Sequence, residues 1–439
     1  MCARVCISRY MGESSNFYNL GIAPNILAIL DRMDFKVPTP IQERSIPAAI
    51  AGKDLMGIAQ TGTGKTLAFG IPMIQFALQN KGNGLIVLPT RELALQVHDA
   101  LRAIGQPLGI KLAVLIGGAP MYKQISDIRR GPHVVIGTPG RIIDHLEHRT
   151  LTLANVKMLV LDEADRMLDM GFAPQLKRIM QSVPAERQTM LFSATMPQEI
   201  VGMTKNFMKL PVQIEIAPPG TAATNVTQEV FVVGRDQKTQ LLQKLLGDYK
   251  GSVLVFTRTK FAAKRVAFAV RNAGHTANEL HSNRSLSQRK EALGGFKNGS
   301  YRVLVATDIA ARGIDVTGIE VVINYDLPMQ AEDYIHRIGR TGRAGASGHA
   351  ISFATPDQRG DLRTIERLLR KALPVARMPD SLPPPAARTA QDDFVPRVQA
   401  GGRPYNNNRG GNSRNSTFGN RRPGGGGGGF NRGRRSYGR

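Results

Sequence analysis

Cysteine is nearly missing from this chain: there are two in 439 residues, Cys2 and Cys6, both at the extreme N-terminus. So few thiols exclude a disulfide-stapled scaffold and fit a reducing compartment, the cytoplasm. Long apolar runs are missing too. None approaches the roughly 18 residues of a membrane span, and the N-terminus lacks the apolar stretch of a secretory signal. Acidic residues are scarce, 34 Asp+Glu against 58 Lys+Arg, which gives a formal charge of +24. That excess points to a polyanionic partner, although simple solubilising repulsion is the commoner use of such charge. What the chain does have is 42% hydrophobic residues and 21% charged ones, enough for substantial cores and too apolar for disorder throughout. At roughly 150 residues per domain, two or three folding units are expected.

The charge is uneven. Residues 381–439 hold eleven Arg and two Asp, a net of +9, together with Pro383-Pro384-Pro385, Asn406 to Asn408 and Gly424 to Gly429. With almost no aliphatic side chains this stretch cannot offset its chain entropy, so a disordered Gly/Arg/Asn-rich tail is expected over 376–439. Tyr405, Phe418, Phe430 and Tyr437 among its arginines suit nonspecific RNA attachment; an inert solubilising tail is the other reading.

Upstream, short β-branched runs alternate with longer amphipathic segments, the mark of βαβ units and a parallel sheet. Leu85-Ile86-Val87-Leu88, Val134-Val135-Ile136, Leu159-Val160-Leu161 and Met190-Leu191-Phe192 read as buried strands. The alternation breaks at Ala217-Pro218-Pro219-Gly220 and resumes with Val230 to Val233 and Val253 to Phe256. Two α/β domains joined by a linker is the economical reading: 11–216 and 228–375, with 217–227 between them and an unpatterned extension over 1–10. Met11 is an alternative translation start.

Two stretches carry chemistry on their own residues. Ala59-Gln60-Thr61-Gly62-Thr63-Gly64-Lys65-Thr66 lies between a strand-like Asp54 to Ile58 and an apolar helix beginning near Leu67. A loop that cradles a triphosphate needs glycines so that backbone N–H groups can turn inward, a lysine for the outer phosphates, a hydroxyl for Mg²⁺ and a helix N-terminus. The alternative is a glycine-rich turn with an incidental lysine. Leu159-Val160-Leu161 then runs into Asp162-Glu163-Ala164-Asp165, placing acids at the carboxyl end of a buried strand, where open α/β sheets bind ligands. Asp162 can orient Mg²⁺ through its waters while Glu163 positions and activates the attacking water. By themselves four such residues read as a solvated helix start. His145 and His148, at i and i+3, lack a cysteine to complete a metal site and read as solvated helix residues.

Together these motifs resemble those of the DEAD-box ATP-dependent RNA helicases, most like the bacterial RhlE-type subgroup, from about Phe17 to Phe353. The resemblance implies two tandem RecA-like domains with parallel sheets. Phe35-Lys36-Val37-Pro38-Thr39-Pro40-Ile41-Gln42 is similar to the family's Q motif, which implies that Gln42 reads adenine and Phe35 packs on its ring; Asp34 stands where the family usually has glycine. Arg91 in Pro89-Thr90-Arg91-Glu92-Leu93-Ala94, Gly118, and Thr138, Pro139 and Arg141 match RNA-backbone motifs of the first domain. Ser193-Ala194-Thr195, with Asp165 and His336, resembles the coupling between nucleotide site and strand separation. In the second domain the resemblance turns Thr307 and Arg284 toward RNA, and Gly313 and Asp315 toward the nucleotide. Ser282 replaces the usual glycine after His281. His336-Arg337-Ile338-Gly339-Arg340-Thr341-Gly342-Arg343 matches the arginine-finger motif, Arg340 and Arg343 being expected on one side of a helical turn.

The implied activity is RNA-stimulated ATP hydrolysis with local, nonprocessive unwinding of short duplexes. Its cofactors would be ATP and Mg²⁺, its partner single-stranded or short duplex RNA bound without sequence preference, and its protein partners ribosome-assembly or RNA-decay factors. A nonenzymatic RNA clamp or annealing factor, and a DNA-acting motor of the same superfamily, are the alternatives.

Overall fold

A computed structural model describes residues 16–59, 62–79, 82–216, 226–311, 316, 318–342 and 347–379. Thr61, Gly313, Asp315, Arg343, most of the expected linker and residues 380–439 of the expected tail lie outside the described residues, as does Met11; the tail's first residues are held, since the Ala376 N–H bonds to the Val230 carbonyl at 2.8 Å and Ala376 and Met378 pack on the core.

Two parallel sheets organise the fold. The first contains β1 (Leu55–Ile58), β2 (Asn83–Val87), β3 (Leu112–Leu115), β4 (Val134–Gly137), β5 (Val156–Leu161), β6 (Gln188–Ser193) and β7 (Val212–Glu215), in the order β3-β4-β2-β5-β6-β1-β7. The second contains β8 (Val226–Val232), β9 (Val253–Thr257), β10 (Ala277–Leu280), β11 (Val303–Thr307), β12 (Val321–Asn324) and β13 (Gly348–Ala354), in the order β10-β11-β9-β12-β13-β8. Strand β8 begins inside the span expected for the linker.

The continuous apolar runs exist because both faces of each sheet are covered. In β2 and β5, Ile86 and Val160 enter one core while Leu85, Val87, Leu159 and Leu161 enter the other. The same alternation sends Val253 and Val255 to one side of the second sheet and Leu254 and Phe256 to the opposite side. Parallel pairing gathers the carboxyl ends of each sheet's strands on one rim, and the helices that start there are capped locally. Thr90 accepts from the Leu93 N–H at 3.3 Å, and Thr259 from the Ala262 N–H at 3.1 Å; such caps are worth about 1 kcal/mol each.

One expectation fails. His145 is fully buried, its Nδ1 2.8 Å from the Thr150 hydroxyl and its Nε2 3.3 Å from Gln124 Oε1. Its helix, Pro139–Glu147, turns that side inward, so it is a satisfied core histidine. His148 is exposed, as expected. Among the described residues no cluster of His, Cys, Asp and Glu could hold a metal by itself, and no helix is long and apolar enough to cross a membrane.

Candidate functional site

The glycine-rich loop leaves β1 at Ala59, whose N–H bonds to the Ser193 carbonyl at 3.0 Å. Gly62 and Gly64 both have positive φ, 93° and 90°, a region open to glycine at little cost. A Cβ on Gly64 would lie 2.4 Å from Gln42 Nε2, so glycine is also required by space. The helix Lys65–Leu78 follows directly. Lys65 is buried, donates to the Ala59 carbonyl at 3.0 Å and stands 4.0 Å from Asp162 Oδ1.

Gln42 anchors this loop. Its Oε1 accepts from the Thr39 N–H at 2.9 Å and its Nε2 donates to the Gly64 carbonyl at 3.0 Å. Both amide groups expected to read adenine are thus held within the protein by one bond each, which leaves a second Oε1 lone pair and a second Nε2 N–H for a base. Asp34 adopts the left-handed conformation, φ 62°, so it reproduces the glycine-type turn, which an aspartate tolerates. Phe35 and Val37 beyond it are exposed at 36% and 71%.

The acidic run is buried rather than solvated. Asp162 follows β5 with its N–H on the Val87 carbonyl at 3.1 Å. Burial pushes its carboxyl up to about 6, with Lys65 opposing and Glu163 adding to the rise. Glu163 is left-handed at φ 52°, a strained conformation for a non-glycine residue of the kind that gathers at functional sites. Burial works to raise the Glu163 carboxyl too, but Arg166, Lys65 and Arg340 outweigh it and hold it below the ordinary value. The main contribution is a neighbour that the sequence did not single out. Arg166 is 2% exposed and places Nη1 3.2 Å from Glu163 Oε2.

Asp165 points elsewhere. Its Oδ2 accepts from the Ala194 N–H at 3.0 Å, the Thr195 N–H at 2.8 Å and the Thr195 hydroxyl at 2.9 Å, while Ser193 Oγ accepts from the Asp165 N–H at 3.3 Å. Ser193, Thr195 and Asp165 therefore form one unit. Burial tends to raise Asp165, but Lys65, His336 and Arg166 bring it down. Burial lowers the His336 imidazole, which keeps that ring neutral near neutral pH.

His336 belongs to the helix Ala331–Ile338 of the second half. That helix closes at Ile338, so Arg340 stands in the turn beyond it rather than on a helical face, with its N–H on the Arg337 carbonyl at 3.1 Å. Arg340 is 3% exposed and acts electrostatically on Glu163. Arg337, not singled out from sequence, holds this segment: it clamps Asp308 at 2.5 and 2.7 Å and donates to Asn324 Oδ1 and the Asp326 carbonyl. It also lies 5.0 Å from the centre of the Phe256 ring.

A second constellation lines a groove between the halves. A cavity of about 370 Å³ is bounded by Arg91, Thr138 and Arg141 from the first half and Ser282, Arg284 and Arg289 from the second. Arg141 Nη1 donates to the Ala119 carbonyl at 3.0 Å. Gly118 is compressed against Arg91, since a Cβ there would fall 2.4 Å from its Nη1. Pro139 is the first residue of the helix behind Thr138. Arg284 is ion-paired with Glu279, and Thr307 sits half-buried at the end of β11. The halves are tied together here by Arg289 Nε on Glu92 Oε1 at 2.6 Å, both side chains nearly buried.

Residues 39–202 match the DEAD/DEAH box helicase family, and residues 237–345 match the helicase conserved C-terminal domain. The chain is 44% identical to an ATP-dependent rRNA helicase RRP3 of Candida albicans over 362 residues, 82% of this chain and 68% of the relative. It is 42% identical to a DEAD-box ATP-dependent RNA helicase CshA of Geobacillus kaustophilus, covering 82% and 78%. The fold matches S. cerevisiae Dbp5 bound to RNA and ADP BeF3 with a TM-score of 0.75, 29% identity, and 83% and 96% of the two chains. A structure of Mss116p bound to ssRNA and AMP-PNP gives 0.77, 26% identity, and 84% and 80% coverage.

Proposed function

Since the chain belongs to the DEAD/DEAH box helicase family, we propose that its two halves, near 11–216 and 228–375, grip one ATP from opposite sides and one RNA strand along the groove. The enzyme is an ATP-dependent RNA helicase. The observation that carries the mechanism is that the buried acids of the first half, Asp162 beside Lys65 and Glu163 paired with Arg166, adjoin a cavity that Arg166 lines together with His336 and Arg340 of the second half.

The inward glycines, Lys65, the buried Asp162 carboxylate and Thr66 at the start of its helix suit a Mg²⁺–triphosphate. Mg²⁺ would be held by Thr66 and Asp162 and would neutralise charge on the outer phosphates. Lys65 binds those phosphates. Glu163, kept unprotonated, orients the attacking water and takes its proton. Arg340, with Arg343 as its proposed companion, stabilises charge growing on the transferring phosphoryl group, an effect on the order of 10³–10⁵ in rate. Phe35 and Gln42 hold the base, with Thr61, Thr63, Gly313 and Asp315 completing the nucleotide contacts.

Coupling to RNA runs through Asp165. It ties the strand β6 exit at Ser193 and Thr195 to the catalytic acids and acts electrostatically on His336 of the second half. Arg91, Gly118, Thr138, Pro139, Arg141, Arg284 and Thr307 would hold the RNA backbone, so binding is independent of sequence. Because ATP and RNA both bridge the halves, each favours the closed form that binds the other. At about 1.4 kcal/mol per base-pair step, a grip on a few nucleotides opens a short duplex but not a long one. Unwinding would then be local and nonprocessive. Ribosomal RNA is the proposed class of target, after the relative's name.

A Glu163→Gln variant tests the assignment. RNA-stimulated ATP turnover should fall at least a hundredfold while RNA binding with a nonhydrolysable analogue persists. Turnover equal to that of the parent would remove Glu163 from its role; a parent that binds RNA but turns over no ATP would mark a clamp.

A further inference from the structure

The helix Lys260–Asn272 contains Lys260, Lys264, Arg265 and Arg271 and no acidic residue. Its inner side is apolar, with Ala263, Val266, Ala267 and Val270 buried. Its outer side carries two phenylalanines in water: Phe261 is 73% exposed and Phe268 is 59% exposed. Lys264 and Arg265 are exposed between them. Spacings of three, four and seven place these four side chains on one helix face, in a stripe about 10 Å long. Leaving a phenylalanine in water forgoes about 1.5–3 kcal/mol of burial, so two on one basic face need a reason outside the fold.

The stripe starts at the groove. Lys260 Nζ donates to Asn283 Oδ1 at 3.1 Å, and Asn283 lies between Ser282 and Arg284, which line the groove cavity. On the other flank Arg258 and Arg265 border a second cavity of about 440 Å³. Two of that cavity's cations are already matched, Lys238 by Asp326 and Arg235 by Asp357, each at 3.1 Å. Net positive charge therefore resides on the helix stripe rather than in the cavity.

We propose that the outer face of Lys260–Asn272 is a second RNA-contact surface, which takes the strand as it leaves the groove between the halves. Lys264 and Arg265 pair with phosphates, and Phe261 and Phe268 offer their rings to unstacked bases, the combination that single-strand binding uses without reading sequence. The inference rests on the RNA reading of the groove. The chain's own residues 381–439, net +9, are repelled by a face of the same sign, and so is the same face of a second copy.

The test uses the full chain, the pairs Phe261→Ala/Phe268→Ala and Lys264→Gln/Arg265→Gln, a nonhydrolysable ATP analogue, and two oligouridylates. One is short enough to fill only the groove; the other is extended at both ends. The parent should bind the extended RNA more tightly. The Phe pair should lose that gain, about tenfold per ring, and the cation pair should flatten the log-log salt slope by about 1.4, that is 0.7 per lost phosphate contact. Binding of the short RNA and the ATP turnover it stimulates should be unchanged in both pairs, which also reports that they fold. Undiminished affinity for the extended RNA in both variants would overturn the proposal. So would an equal loss for the short RNA, or a loss confined to a polyglutamate probe, which would mark a protein-binding face. If the parent itself binds neither RNA, it is the groove reading that has failed, and this proposal fails with it.

Discussion

Replacing Arg166 with methionine removes the charge that contributes most to keeping Glu163 ionised. The guanidinium stands 3.2 Å from the carboxylate, with both side chains almost wholly buried. At an effective dielectric constant near 20, two unit charges about 4 Å apart attract by about 4 kcal/mol, equivalent to about three pK units at 1.36 kcal/mol each. Lys65 and Arg340 remain and burial then acts against fewer cations, so the Glu163 carboxyl is expected to move upward. The sign follows directly. In the parent the depressed carboxyl is unprotonated, and active, throughout the neutral range, losing its charge only as pH falls through its folded-state value. In Arg166→Met that loss moves to higher pH. The assay is RNA-stimulated ATP turnover between about pH 4 and 8.5 at saturating Mg²⁺, which keeps Asp162, itself pushed up to about 6 by burial, ionised so that it does not set the limb. The acid limb should shift upward by at least one unit, activity should recover toward alkaline pH, and Arg166→Lys should restore much of the parent profile. Removing one member of a buried pair costs about 3–5 kcal/mol, so a lower Tm is expected as well. An acid limb that stays in place while the variant remains folded would show that Arg166 does not tune Glu163.

Other perturbations separate the parts of the machine. Gly64→Ala puts a Cβ 2.4 Å from Gln42 Nε2 at φ 90°, adding about 1–2 kcal/mol of backbone strain and breaking the Gln42 anchor. Its KM for ATP should rise at least tenfold, while RNA binding measured without nucleotide should be unchanged. Glu92→Gln and Arg289→Gln each leave a buried charge unpaired across the halves. Each should weaken RNA binding in the presence of an ATP analogue, and their double-mutant cycle should give a coupling of about 0.5–3 kcal/mol; additive losses would mean that the pair does not join the halves.

Much of the fold could be read from the chain because both sheets are parallel and covered on both faces, so their strands are unbroken apolar runs. The glycine-rich loop and acidic run are legible for a related reason: each is a short local pattern at the end of such a strand. What escaped was carried by long-range pairing. Glu92 and Arg289 are 197 residues apart, and nothing local distinguishes Arg289 from a surface arginine on its helix. Arg166 and Arg337 were passed over for the same reason, since a buried arginine looks like an exposed one until its partners are placed. His145 reads as solvated from sequence because only packing reveals which side of its helix faces the core. Arg340 lies in the second half's basic motif, but only the structure shows that Gly339 caps the helix before it and leaves it in a turn.

The shared grip on ATP is tested most directly by Arg340→Ala in single-turnover hydrolysis with saturating ATP and single-stranded RNA. The account predicts a rate at least a thousandfold below that of the parent, with ATP affinity in the absence of RNA little changed. A rate within a few-fold of the parent would contradict it, because catalysis would then need nothing from Arg340.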